Sequence, residues 1–147
     1  FTIQRNDGQD VIEVTTKTDT GSTRTHFNLQ NSNGTVGTIQ TSGSGTAYNE
    51  SSDYRLKENV DYTWDATTRL KQLKPARFNF IADANTTVDG FIAHEVSSVV
   101  PEAVSGAHNG VDDDGAPIIQ QFDKSKLIPL LVKTVLELEA RITALEA

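Results

Sequence analysis

Cysteine is absent from this sequence, which excludes a disulfide framework, thiolate metal sites and nucleophilic cysteine chemistry. There is one tryptophan in 147 residues, and 36% of the chain is hydrophobic. A monomer of that composition has a thin core, and assembly would help it. Positive charge is also scarce: 13 Lys and Arg against 20 Asp and Glu give a formal charge of -7. That argues against a nucleic-acid partner, for which a basic patch is expected. No apolar run approaches the roughly 18 residues of a membrane span, and no basic segment leads into an apolar one as in a secretion signal. We therefore expect a soluble polypeptide with no membrane partner, taken from within a longer protein. His26, His94 and His108 complete no metal-ligand spacing, and Asp112-Asp113-Asp114-Gly115 lacks the closing glutamate of a calcium loop and reads as a surface turn. No metal or cofactor is expected.

What is present falls into two chemically different parts. From Phe1 to Tyr48 the chain is rich in Thr, Ser, Asn and Gly. Alternating runs such as Val11-Ile12-Glu13-Val14-Thr15 and His26-Phe27-Asn28-Leu29 are broken by Asn6-Asp7-Gly8 and Asn33-Gly34. This pattern predicts β-structure with tight turns. Its apolar residues are too sparse for a closed single-chain core and suit an elongated stalk in which chains bury one another; a flexible linker is the alternative. Gly43-Ser44-Gly45 reads as a softer approach to the segment that follows.

Farther on, Asp65 is placed to cap a short helix running to Lys74 before Pro75. Ala76 to Ile81 alternates as a strand. A turn-rich segment to Gly90 leads into a second strand at Phe91-Ile92-Ala93, and Glu95 to Val100 predicts a brief helix ended by Pro101. His94, a lone histidine beside an apolar strand, is read as a hydrogen-bonded packing residue. Ile118 to Phe122 predicts a last strand, with Ser125 capping a final helix whose Pro129 falls in the opening turn. Along that helix Ile128, Leu131, Val135, Leu138, Ile142 and Leu145 recur at three and four residues, a heptad seam that needs partners.

Between the two parts lies Asn49-Glu50-Ser51-Ser52-Asp53-Tyr54-Arg55-Leu56-Lys57-Glu58-Asn59-Val60. It holds one pair with reactive potential, Ser52 and Lys57. A serine hydroxyl becomes a useful nucleophile when a neighbouring base takes its proton, and a neutral amine can be that base. Burial, or a cation such as Arg55, would have to lower the lysine by about three units from ~10.4. Residues five apart lie about 140° apart on a helix and on opposite faces of a strand, so a bend or a second chain must join them. On spacing alone the segment reads equally as a solvated surface.

The sequence also resembles a known family. Thr46-Ala47-Tyr48-Asn49 and Ser51-Ser52-Asp53-Tyr54-Arg55-Leu56-Lys57-Glu58-Asn59-Val60 are similar to the start of the intramolecular chaperone auto-processing domain found at the C-terminus of bacteriophage tail fibres and tailspikes, the S74 peptidase family of endosialidase chaperones. Gly90-Phe91-Ile92-Ala93-His94-Glu95-Val96, Val100-Pro101-Glu102-Ala103-Val104 and Lys126-Leu127-Ile128-Pro129-Leu130-Leu131-Val132-Lys133 continue the resemblance in order. It departs from the family pattern at Glu50, where a small hydroxylated residue is expected, and at His94, where glutamine is common. The resemblance implies a homotrimer that templates folding of the fibre chain in front of it. It further implies self-cleavage at the Ser51-Ser52 bond, with Ser52 as nucleophile and Lys57 as base. Asn59 is a candidate oxyanion donor, with Glu58, Asp53 and His94 as further supporting candidates. Localisation would be the virion tail fibre, assembled in the bacterial cytoplasm, with the chaperone part released.

The expected fold is therefore α+β: a β-rich trimeric stalk end over residues 1–51, then a small mixed chaperone domain over 52–147 whose helix 125–147 forms a coiled coil. Both parts are acidic, with three basic and five acidic residues before the proposed cut and ten and fifteen after it. β-Branched residues at a with leucine at d favour a dimer in isolated coils, whereas the resemblance implies a trimer. Other readings remain beside self-cleavage. One is a fibre-tip cap that trimerises and is never cut. Another is glycan binding by residues 1–51, which hold only Phe1, Phe27 and Tyr48 as aromatic platforms. The family also has members among membrane-tethered eukaryotic transcription factors, and nothing in this chain resembles their DNA-binding portion.

Overall fold

The computed structural model describes residues 21–147. The expectations for Asn6-Asp7-Gly8 and Val11 to Thr15 lie outside them. The fold is α+β, and the chain divides into two compact units, Phe1–Val60 and Asp61–Ala147.

The described part of the first unit is an antiparallel sheet of β1 (Arg24–Asn31), β2 (Gly34–Ser42) and β3 (Gly45–Glu50), in that order. Two tight turns set its register. At Ser32-Asn33 the Asn31 side chain accepts the Asn33 N–H at 2.8 Å, and Gly34 takes φ 90°, a value costly for any residue with a Cβ. Gly43-Ser44, expected to be a soft approach, is instead the second hairpin turn, with Gly43 at φ 55°. Direct cross-strand partners share a face, so Phe27, Ile39 and Tyr48 form one row across all three strands, with Leu29 beside Gly37 on the same face. The opposite face is polar: the Asn49 amide donates to Thr38 and Gln40, and the Gln40 amide to Thr25. Alternation has thus produced a two-faced sheet whose apolar row is left largely open, with Phe27 42% and Tyr48 78% exposed.

The second unit builds a core. Asp65 caps α1 (Ala66–Leu70) as its sequence predicts, accepting the Thr68 N–H at 2.9 Å. A two-stranded ribbon follows, β4 (Ala76–Phe80) with β5 (Asp83–Gly90). The strand expected at Phe91-Ile92-Ala93 is not formed. The polar segment before it is β5 instead, half-buried only at Val88 and Gly90, which pair with Phe78 and Ala76, and Ala93 already opens α2 (Ala93–Ser97). β6 (Val104–Ser105) pairs with β7 (Gln121–Phe122), at the end of the strand expected from Ile118. The turn before the last helix is capped by Asp123 rather than Ser125: its carboxylate accepts both the N–H and the hydroxyl of Ser125. α3 (Ile128–Glu146) then runs for 19 residues with Pro129 in its first turn.

Ala66, Val96, Val100, Ala103, Leu127 and Leu130 are the buried apolar residues, with Trp64, Leu70, Phe91 and Phe122 packed against them. Phe91 and Phe122 meet edge to face at 5.7 Å. Glu137 of α3 ties the helices together by accepting the N–H groups of Ala66 and Thr67 and the Thr67 hydroxyl, the last at 2.6 Å. Those bonds, that of the hydroxyl foremost, hold its carboxyl below the usual range. α3 therefore packs inward through Leu130, Thr134 and Glu137, continuing from the buried Leu127 in the turn before it. The seam residues Ile128, Leu131, Val135, Leu138, Ile142 and Leu145 occupy a different stripe and are each at least 42% exposed. A third apolar stripe, Val132 and Leu136, lines an open cleft with Tyr62 and Trp64. No helix among the described residues is long and apolar enough to cross a membrane.

Candidate active site

β3 delivers the chain to the reactive segment under firm backbone control. Ser51 extends the β2–β3 ladder by one bond, its N–H donating to Val36 O at 3.1 Å, and its hydroxyl donates to Thr35 O at 2.7 Å. Asp53 then caps a single 3₁₀ turn, Tyr54–Leu56. The Asp53 carboxylate accepts the Arg55 N–H at 2.8 Å, and Leu56 and Lys57 donate back to the carbonyls of Asp53 and Tyr54. Asp53 and Lys57 are both extended on either side of it. This is the bend that the five-residue spacing requires. It brings the two side chains together within one chain, with Lys57 Nζ donating to Ser52 Oγ at 2.7 Å.

The surrounding charges are ordered by Arg55. Its guanidinium grips Asp53 through two bonds of 2.9 Å, from Nε to Oδ1 and from Nη2 to Oδ2. Those bonds, with the Arg55 backbone N–H and the charge of Lys57, hold the Asp53 carboxyl below the usual carboxylate range; Arg55 is raised in turn. Arg55 was a candidate for easing the deprotonation of Lys57, but its charge is committed to Asp53. Ser52 and Lys57 are exposed among the described residues.

The other candidates are placed as follows. Asn59 adopts φ 53° in the left-handed region, which asparagine tolerates, and its side chain makes no hydrogen bond among the described residues. Glu58 is exposed and forms no ion pair among the described residues. Glu50 ends β3 opposite Gly37. His94 lies in the second unit. It is not a hydrogen-bonded packing residue: it is exposed and stacks on His108, with ring centroids 4.2 Å apart and planes 12° apart. The topology that closes residues 106–120 back over α2 joins two histidines that sequence distance separates. His26 is bonded to the Thr41 hydroxyl at 2.7 Å. Asp112 uses its carboxylate on the N–H groups of Asp114 and Ala116, as a surface turn does. The double anchorage of Ser51 was missed, since its partners lie 15 and 16 residues away; the Asp53 cap had a local signal, an Asp opening a short turn.

Residues 52–105 match the family model of the S74 peptidases, described as chaperone of endosialidase, and the match begins at Ser52 itself. This segment belongs to that family. The S74 match covers a little over a third of the chain and includes the dyad segment, the Gly90–Val96 stretch and Val100–Val104. The Lys126–Lys133 stretch falls outside it. A comparison with curated proteins finds no match.

Proposed function

We propose that this S74 segment is an intramolecular chaperone that trimerises, directs folding of the fibre chain before it, and then cuts the Ser51-Ser52 bond with a Ser52–Lys57 dyad. The observation that carries the reading is the 2.7 Å contact between Lys57 Nζ and Ser52 Oγ beside a doubly anchored Ser51. In the reaction, neutral Lys57 takes the Ser52 hydroxyl proton as Oγ attacks the Ser51 carbonyl. The C–N bond breaks, its nitrogen takes the proton from Lys57, and Ser51 is left as an ester on Ser52. Water then hydrolyses that ester, giving the Ser51 carboxylate and restoring the hydroxyl. Asn59 is the nearest candidate in sequence to donate to the oxyanion formed on the way.

Trimerisation is supported by two open apolar surfaces, the α3 seam and the Phe27–Ile39–Tyr48 row. The client is the fibre chain ending in the β1–β3 sheet. The place of action is a virion tail fibre assembled in the bacterial cytoplasm, with the chaperone part released on cleavage. The second reading, a permanent trimeric cap, draws support from the exposure of both Ser52 and Lys57, since a nucleophile and base open to water lack the enclosed site in which such pairs are activated. An intact-mass spectrum of freshly folded wild type beside Ser52→Ala and Lys57→Ala separates them. Self-cleavage gives fragments 1–51 and 52–147 in the wild type and a single uncut mass in both variants. One uncut mass in all three leaves the cap.

A further inference from the structure

Ser51 contributes only its carbonyl to the reaction proposed above, yet it is held more firmly than either member of the dyad. Its N–H is bonded to Val36 O at 3.1 Å and its hydroxyl to Thr35 O at 2.7 Å, both carbonyls belonging to the start of β2. The two bonds act on different torsions. The ladder bond fixes the direction of the Ser51 N–H and so its φ; the hydroxyl bond fixes χ1 against a second, independent point of the same strand. What remains is rotation about ψ, the torsion that aims the carbonyl, and the capped turn starting at Asp53 limits it from the other side. Holding a carbonyl where a neighbouring hydroxyl can reach it turns a rarely sampled geometry into the resting one. Ser51 is exposed, so its hydroxyl has water as an alternative partner, and the bond to Thr35 O adds little to stability. Its effect falls on orientation.

We propose that the Ser51 side chain is a positioning residue and a specificity determinant for the cut: its hydroxyl, seated on the Thr35 carbonyl, aims the scissile carbonyl at Ser52 Oγ. The inference rests on the self-cleavage reading. It requires a residue before the cut whose side chain donates a hydrogen bond, and it makes cleavage depend on β2–β3 pairing, because the acceptor exists at that place only when β2 lies beside β3.

The test uses the full chain, freshly folded, with Ser51→Thr and Ser51→Val, two branched residues of one shape that differ in the hydroxyl. The first-order rate of appearance of fragment 52–147 is followed for each. Thermal midpoints are measured in the uncut Ser52→Ala background. We expect Ser51→Thr within about twofold of wild type and Ser51→Val slower by about tenfold, the loss of one well-placed neutral hydrogen bond. Midpoints should be equal. Equal rates for the two variants, fast or slow, overturn the proposal. A midpoint that falls with the rate in Ser51→Val overturns it in favour of a purely structural role. A wild type that stays uncut removes the self-cleavage reading itself, a result distinct from a cutting wild type whose two variants match.

Discussion

Residues 61–147 gather six apolar side chains into a core, cap their helices with Asp65 and Asp123, and lock α3 to α1 through Glu137. Among the described residues of 21–60, by contrast, Gly37 is the one buried position, and the apolar row of the sheet stays open. One region builds a small core within a single chain and leaves its α3 seam open, whereas the other is a single layer with no core among its described residues. The reactive segment belongs by its contacts to the coreless region. The difference implies that the part with its own core can fold without the coverage that the open sheet lacks.

The largest expected effect tests the first half of that contrast. Leu130 is 2% exposed at the centre of the core, so Leu130→Ala should destabilise residues 61–147 by about 2–5 kcal/mol in urea unfolding. Phe27→Ala, made in the open row, should change little at dilutions where the chain is monomeric. At higher concentration, where copies cover the row, it should lower the midpoint. A large effect of Phe27→Ala at every dilution would mean that the sheet is already covered within one chain.

A smaller effect is expected at the seam. Leu138→Lys places a charge on the open stripe of α3 and leaves Leu127, Leu130, Thr134 and Glu137 in place. If the proposed trimer forms through this stripe, sedimentation equilibrium should show trimer for the wild type and monomer for the variant, and the far-UV spectrum should be retained. A dimeric wild type would side with the a and d residues of the seam against the proposed trimer. Unfolding of the variant together with loss of assembly would show that the core cannot stand alone, and would collapse the comparison.

How much of this was legible in the sequence follows from the range of each interaction. The Asp65 cap, Pro129 in the first helical turn and the heptad stripe are local patterns and could be read directly. β5 could not, because Asp83–Gly90 offers only Ala84 and Val88 as apolar residues, too few and too far apart for alternation to show. Asp123 outcompeted Ser125 as a cap because its carboxylate reaches both Ser125 donors from one residue before the turn. At the site, the identities of Ser52 and Lys57 were legible, whereas their contact depended on a turn too short for periodicity to reveal. The seat of Ser51 on β2 and the stacking of His94 on His108 are long-range products of topology.

The contribution of Glu137 should appear as a pH dependence. Its carboxyl lies below its ordinary value in the folded chain because the Thr67 hydroxyl and two backbone N–H groups stabilise the anion. A depressed carboxylate stabilises the fold above its unfolded pKa, and that stabilisation is lost as pH falls through the lower, folded value. The midpoint of wild type should therefore exceed that of Glu137→Gln at pH 6 to 7, with the gap closing below pH about 4.5. A gap independent of pH would assign the helix clasp to packing and remove the charge from it.

The smallest effect runs in the opposite direction. Thr134 is 4% exposed on the inward stripe of α3, and its hydroxyl is buried without a hydrogen-bond partner among the described residues. A buried hydroxyl in that state loses its water without recovering the bond. Valine has the same shape and places a methyl group there instead, so Thr134→Val should stabilise residues 61–147 by about 1 kcal/mol in urea unfolding. The seam lies on another stripe, so the gain should persist at any protein concentration. A gain confined to the assembled protein would place the hydroxyl at the boundary between copies, and a loss would show that it has a partner after all. Either outcome would redraw where the self-sufficient region ends and the surface that needs other copies begins.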